Sequence, residues 1–97
     1  MQGLPLSISI ISLNEEKNLR RCLASVAGLA SEIVILDSGS QDRTAEIAAE
    51  FGARFIHQDW LGFTAQKNRC LEHCTQPWVL NLDCDEEVSR ELAASIR

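Results

Sequence analysis

Pro77-Trp78-Val79-Leu80-Asn81-Leu82-Asp83-Cys84-Asp85-Glu86-Glu87 begins as an apolar run of strand length and ends in four acids among five residues. A strand that stops in clustered carboxylates is hard to justify by stability alone. In an extended chain successive side chains alternate faces, so Asp83 and Asp85 are expected on one side and Cys84 on the other. Two carboxylates on one side repel unless a cation lies between them. Hard divalent ions such as Mg²⁺ take oxygen ligands, commonly one or two carboxylates with phosphates completing the shell. The stretch therefore predicts a metal-diphosphate site at the end of a central strand.

Outward from it, strands and helices alternate. Leu6 to Leu13 mixes Ile with Ser and predicts a buried first strand. Asn14 suits an N-cap, and Leu19, Cys22, Leu23 and Val26 follow at the spacing of an amphipathic helix. Glu32 to Asp37 is a second strand, and it too ends in an acid. Ser40 can cap the next helix, whose buried stripe is Thr44, Ile47, Ala48 and Phe51. Ala53 to His57 is a short third strand. A helix over 63–74 follows, with Phe63, Cys70, Leu71 and Cys74 inward, and Val88 to Arg97 starts another.

This order, β-α-β-α-β-α-β-α, predicts an α/β fold: a parallel, Rossmann-like sheet in a three-layer α/β/α arrangement. Such sheets bind ligands at the carboxyl ends of their strands, near the point where strand order reverses. Ser12, Asn14, Glu15, Asp37, Asp83 and Asp85 all fall there, and Gln66, Lys67 and Asn68 are early enough in their helix to reach the same rim.

Composition narrows the classes. The chain has 97 residues, 45% hydrophobic and 24% charged, the balance of a soluble globular domain rather than a disordered one. A net charge of −5 argues against nucleic acid or an anionic membrane as main partner. Cys22, Cys70, Cys74 and Cys84 are read as reduced thiols in a cytoplasmic protein. Cys70-x-x-His73-Cys74 is a weak zinc motif because no second ligand pair has matching spacing. The segment Leu4 to Leu13 is neither a signal peptide nor long enough to span a bilayer. No GxGxxG follows the first strand and no Walker A loop is present, which disfavours a nicotinamide cofactor and a P-loop. A charged nucleotide would then be held by metal on its phosphates and acids on base and ribose. Asp37 suits the second task, although Asp-Ser-Gly-Ser is also good turn chemistry.

Four segments together carry a resemblance. They are the first strand running into Asn14-Glu15-Glu16, the stretch Ile33-Val34-Ile35-Leu36-Asp37-Ser38-Gly39-Ser40-Gln41-Asp42-Arg43-Thr44, then Gly62-Phe63-Thr64-Ala65-Gln66-Lys67-Asn68, and Leu80-Asn81-Leu82-Asp83-Cys84-Asp85-Glu86. In this order the chain resembles the N-terminal, nucleotide-sugar-binding half of a family 2 glycosyltransferase of the GT-A fold. Trp60 to Asn68 and the Asp-Cys-Asp-Glu ending are most similar to bacterial members that add glucose to the lipopolysaccharide inner core. The resemblance implies that residues 1–97 are a truncated part of a larger domain. It implies that Asp37 contacts the nucleobase, with Ser12 and Glu15 against base and ribose and Lys67 near the nucleotide. Asp83 would contact ribose or metal, and Asp85 would bind Mg²⁺ or Mn²⁺ across the diphosphate. The implied activity is metal-dependent, inverting transfer of glucose or another hexose from a nucleoside-diphosphate sugar, with UDP-sugars favoured, to a saccharide or lipid-linked acceptor. The catalytic base is expected outside the chain, leaving it inactive alone. The implied location is cytoplasmic, peripheral at most at the inner face of the membrane through parts outside these residues. The rival readings are a nucleotidyltransferase, which usually carries a Gly-rich, Arg-containing loop where this chain has Leu13-Asn14-Glu15, and a non-catalytic domain whose acids are solvated turn residues. A receiver domain fits poorly, because its paired acids follow the first strand.

Overall fold

The computed structural model describes residues 4–86, 88, 89, 91, 92 and 95. The elements are β1 (Leu4–Ser12), α1 (Glu16–Val26), β2 (Ala30–Asp37), α2 (Thr44–Glu50), β3 (Arg54–His57), α3 (Phe63–His73) and β4 (Trp78–Leu82). The four strands form one parallel sheet in the order β3-β2-β1-β4. The chain moves outward from β1 to β3, then crosses back to place β4 on the other side of β1. With every crossover of the usual hand, that reversal puts α3 on the face opposite α1 and α2.

The core has two halves that match this geometry. Leu6, Ile8 and Ile10 of β1 and Ile35 of β2 meet Leu19, Cys22, Leu23 and Val26 of α1 and Ile47 and Ala48 of α2. On the other face Val34 and Leu36 pack with Cys70 of α3 and partly buried Ile11, Ile56 and Cys74. The alternation along β2, with Ile35 on one side and Val34 and Leu36 on the other, follows from the two-residue period of a strand. Both faces are covered, which is why its last four residues are all buried. The expected three-layer α/β/α arrangement is the one observed.

Several local expectations are corrected. β4 is not central but lies at the edge of the described sheet, and its first residue, Trp78, is 70% exposed. Strand alternation does not govern Asp83 and Asp85, because β4 ends at Leu82 and the chain turns. Glu86 N–H donates to the Asp83 carbonyl at 3.0 Å, while Asp83 N–H donates to the Glu86 carboxylate at 2.7 Å. Asn14 is not the N-cap of α1. It takes a left-handed conformation, φ 52°, and its side-chain oxygen accepts from Gln41 N–H at 2.8 Å; Asn is among the few residues that tolerate this region. Ser40 does not cap α2 but bonds Asp37. In α3 the buried residues are Gln66 and Cys70. Phe63 projects beyond the strand ends at 71% exposure, and Leu71, one step round from Cys70, is also exposed. Of the helix expected over 88–97, Glu91, Leu92 and Ser95 are helical, while residues 90, 93, 94, 96 and 97 lie outside the described residues, as does Glu87.

Candidate functional site

The carboxyl ends of β1, β2 and β4 converge where the strand order reverses. Ser12 of β1 stands opposite Asp37 of β2, and Ile10 stands opposite Leu82 of β4. Asp37 is 2% exposed. One of its oxygens accepts from Ser12 Oγ at 2.6 Å and from Ser40 Oγ; the other accepts from Gly39 N–H at 2.9 Å and Ser40 N–H at 2.7 Å. Burial alone would raise the Asp37 pKa. The bonds from Ser12, Ser40 and Gly39 outweigh it and hold the carboxyl below its ordinary value. Asp37 thus lashes the 38–40 turn to β1.

That turn in turn organises the start of α1. Asn14 N–H donates to Ser40 Oγ at 2.7 Å, Glu15 N–H to Thr44 Oγ1 at 3.0 Å, and Glu16 N–H to an Asp42 oxygen at 3.2 Å. The other Asp42 oxygen accepts from Thr44 N–H at 3.0 Å. Side chains just before and at the start of α2 therefore satisfy the orphan donors at the beginning of α1, whose own N-cap residue, Glu15, makes no side-chain capping bond. Glu15 is fixed at the rim by this arrangement.

Two clefts open there. The first, about 440 Å³, is lined by Ile11, Ser12, Leu13, Glu15 and Ser38 together with Trp60 and Phe63. The second, about 390 Å³, shares Ile11, Glu15 and Phe63 and adds Asn18, Lys67, Asp83, Cys84 and Asp85. Lys67 Nζ stands 3.7 Å from Asp83 Oδ1. Cys84 is buried beneath the acids, its thiol directed at the Ile11 carbonyl at 3.4 Å, and the Cys22 thiol lies 3.8 Å from the Asp83 carbonyl. These contacts seat the acidic turn on β1 and α1.

Ser12, Glu15, Lys67, Asp83 and Asp85 are thus brought together, with Asp37 behind Ser12. Gln66 is not at the rim: its side chain accepts from Leu61 N–H at 3.1 Å and donates to the Gln58 carbonyl at 3.2 Å. Asn68 is exposed and lines neither cleft. The second cleft holds three carboxylates against one ammonium. Among the described residues no group of three His, Cys, Asp or Glu could hold a metal by itself. Two adjacent hard-oxygen donors open to solvent nevertheless match the chemistry of a divalent cation whose remaining ligands come from a phosphate-bearing substrate.

Residues 7–95 match the family described as Glycosyl transferase family 2. The chain belongs to glycosyl transferase family 2. It is 46% identical over 94 residues to the lipopolysaccharide core biosynthesis glycosyltransferase LpsC of Rhizobium meliloti, a match covering 92% of this chain and 34% of the relative. The chain therefore spans about a third of the length of the curated relatives it matches. Among solved structures it is similar to glucosyl-3-phosphoglycerate synthase of Mycobacterium tuberculosis in complex with Mn²⁺, UDP and glucosyl-3-phosphoglycerate. That similarity has a TM-score of 0.70 at 27% identity, over 84% of this chain and 35% of the other. It also shares its fold with S. aureus TarS, solved with UDP-GlcNAc, at TM-score 0.76 and 21% identity, over 99% of this chain and 30% of that one. These neighbours bear out the GT-A fold.

Within this family 2 chain, sequence reasoning missed Thr44 and Asp42 as the residues that hold the backbone of Glu15 and Glu16, and Trp60 and Phe63 as walls of the rim. The short Asp42-x-Thr44 spacing is itself a capping signal, but nothing local shows that the helix it caps includes α1. The cysteines yield a first prediction. Cys22, Cys70 and Cys84 are buried and Cys74 is half-buried. Burial, with help from nearby acids, pushes the Cys22 thiol up to about 11 and the Cys84 thiol higher still. Brief treatment of the native protein with iodoacetamide at pH 8 should label Cys74 well ahead of the other three, which react only after denaturation. Mass spectrometry of the labelled peptides checks this. Among the described residues no helix is long and apolar enough to cross a membrane.

Proposed function

We propose that this chain is the nucleotide-sugar-binding part of a glycosyltransferase that moves a hexose from a UDP-sugar to an acceptor hydroxyl during synthesis of lipopolysaccharide or another cell-envelope polysaccharide. The observation that carries the reading is the convergence of Asp83, Asp85 and Lys67 in one cleft at the strand-order reversal of a family 2 chain. The synthase complexed with Mn²⁺ and UDP supports the choice of donor and cation, and the LpsC relative supports the setting.

Asp85 and Asp83 are assigned to Mg²⁺ or Mn²⁺. Bound there, a divalent cation would supply Lewis-acid stabilisation of negative charge on the leaving diphosphate. Lys67 reaches the same charge from α3, exchanging its contact with Asp83 for phosphate oxygen. Ser12 and Asp37, already joined to each other, are assigned to the base edge, and Glu15 to base or ribose. The reaction would be inverting, with its general base supplied by residues beyond those described. Glu86 is occupied by the backbone of its own turn. A saccharide or lipid-linked acceptor would meet the donor over the open rim, and peripheral attachment at the inner membrane face would come from parts other than these residues.

Calorimetric titration of UDP with and without Mn²⁺ tests the reading: metal-dependent binding is expected, and no binding in either condition overturns it. In the same assay Lys67→Met should weaken UDP with Mn²⁺ about fivefold to tenfold, the value of one charge-assisted contact discounted for solvent. Its unfolding free energy should fall by less than about 1 kcal/mol, because the pair with Asp83 is exposed.

A further inference from the structure

The first cleft contains a device that the reading above leaves unused. Trp60 stands on the loop before α3 and Phe63 on its first residue, 51% and 71% exposed, their rings edge to face with centroids 4.9 Å apart and planes at 88°. Two large rings open to water forgo the stabilisation that burial would give them. Yet the loop that presents them is firmly held. Gln66, 1% exposed, accepts from Leu61 N–H on one side of Trp60 and donates to the Gln58 carbonyl on the other. Gly62, at φ 98°, makes the bend into α3 in a region that a side chain rarely allows. A buried glutamine and a left-handed glycine thus hold an exposed indole over the rim.

Position separates this pair from aromatics scattered on a surface. The aromatic cleft runs into the acidic one, with Ile11, Glu15 and Phe63 lining both. One end offers the carboxylates and the ammonium, and the other offers apolar walls bordered by Ser12, Ser38 and Glu15. A ligand that fills both is anionic at one end and, at the other, flat with apolar faces and a polar edge. We infer that the indole of Trp60, braced edge to face by Phe63, is the platform on which the base of the nucleoside diphosphate stacks. The inference rests on the donor reading above and adds to it the surface that grips the base.

The test compares UDP, inorganic pyrophosphate and UDP-glucose, each with Mn²⁺, by calorimetry on the unaltered protein and on Trp60→Ala, Trp60→Phe and Phe63→Ala. Trp60→Ala should weaken UDP by about tenfold or more, the usual contribution of stacking one base on an aromatic ring, and leave pyrophosphate unchanged. Trp60→Phe should retain most of the UDP affinity, and Phe63→Ala should fall in between. Thermal unfolding of each variant confirms that the fold is kept, and Trp60→Phe provides a variant without a large cavity if Trp60→Ala unfolds. UDP affinity unchanged in Trp60→Ala and Phe63→Ala, or lost in step with pyrophosphate, overturns the platform while leaving the donor reading in place. Loss for UDP-glucose but not for UDP assigns the rings to the sugar and overturns it as well. If the unaltered protein binds no UDP, the donor reading fails and the platform falls with it.

Discussion

Asp85→Ala is expected to abolish the metal-dependent part of UDP affinity, a loss on the order of a hundredfold. Partners that merely orient metal ligands are worth about tenfold to a hundredfold each, and a carboxylate assigned to the cation itself should stand at the top of that range. The fold should be indifferent, since Asp85 is exposed and the turn that carries it is tied by Asp83 and Glu86 and by the buried thiol of Cys84. The unfolding free energy is therefore expected within about 0.5 kcal/mol of the unaltered protein, the usual range for surface changes. Titration of UDP against both proteins with and without Mn²⁺ is the measurement. Equal enhancement by Mn²⁺ in the two would remove Asp85 from the site.

Asp37→Asn, unlike Asp85→Ala, should bring a large loss of stability. The carboxylate accepts four hydrogen bonds in a buried position, two from hydroxyls and two from backbone N–H groups. An amide of the same shape offers one acceptor oxygen and turns an NH₂ toward donors. Each buried donor left unmatched costs about 1–3 kcal/mol, so a net loss of about 2–4 kcal/mol is expected in urea unfolding at pH 7. For a domain this small that is a large share of its stability. The pH dependence identifies the cause. Asp37 has a lowered pKa when folded, so its contribution is complete above the unfolded value of about 3.9 and is lost as pH falls through the folded value. The gap between the two proteins should therefore close on acidification. A gap that stays constant down to pH 3 would mean that the charge on Asp37 is not what holds the turn.

The same two acids show how unevenly the sequence could be read. The succession of apolar and β-branched runs, the amphipathic stripe Leu19-Cys22-Leu23-Val26 and Asp37 closing the second strand are local patterns, and all reappear in the structure. Asp83 and Asp85 were legible as a pair near Lys67, but for the wrong geometric reason: a turn, not an extended strand, presents them. The wrong inward set for α3 has a similar origin. Helical period says that Phe63 and Cys70 share a face; it does not say that the sheet ends before reaching Phe63.

What the sequence alone determined is what depends on near neighbours: alternating strands and helices, one parallel sheet, and carboxylates gathered at its carboxyl edge. Tertiary structure decided what those groups do before any ligand arrives. It buried Asp37 under hydroxyls that include one 25 residues away, lent Asp42 and Thr44 to the start of a helix 26 to 29 residues earlier, and hung Trp60 and Phe63 over the same opening. The reason is physical. Periodicity and burial are written residue by residue, whereas a hydrogen bond across a crossover exists only once the register of β1 against β2 has placed donor and acceptor within 3 Å or so.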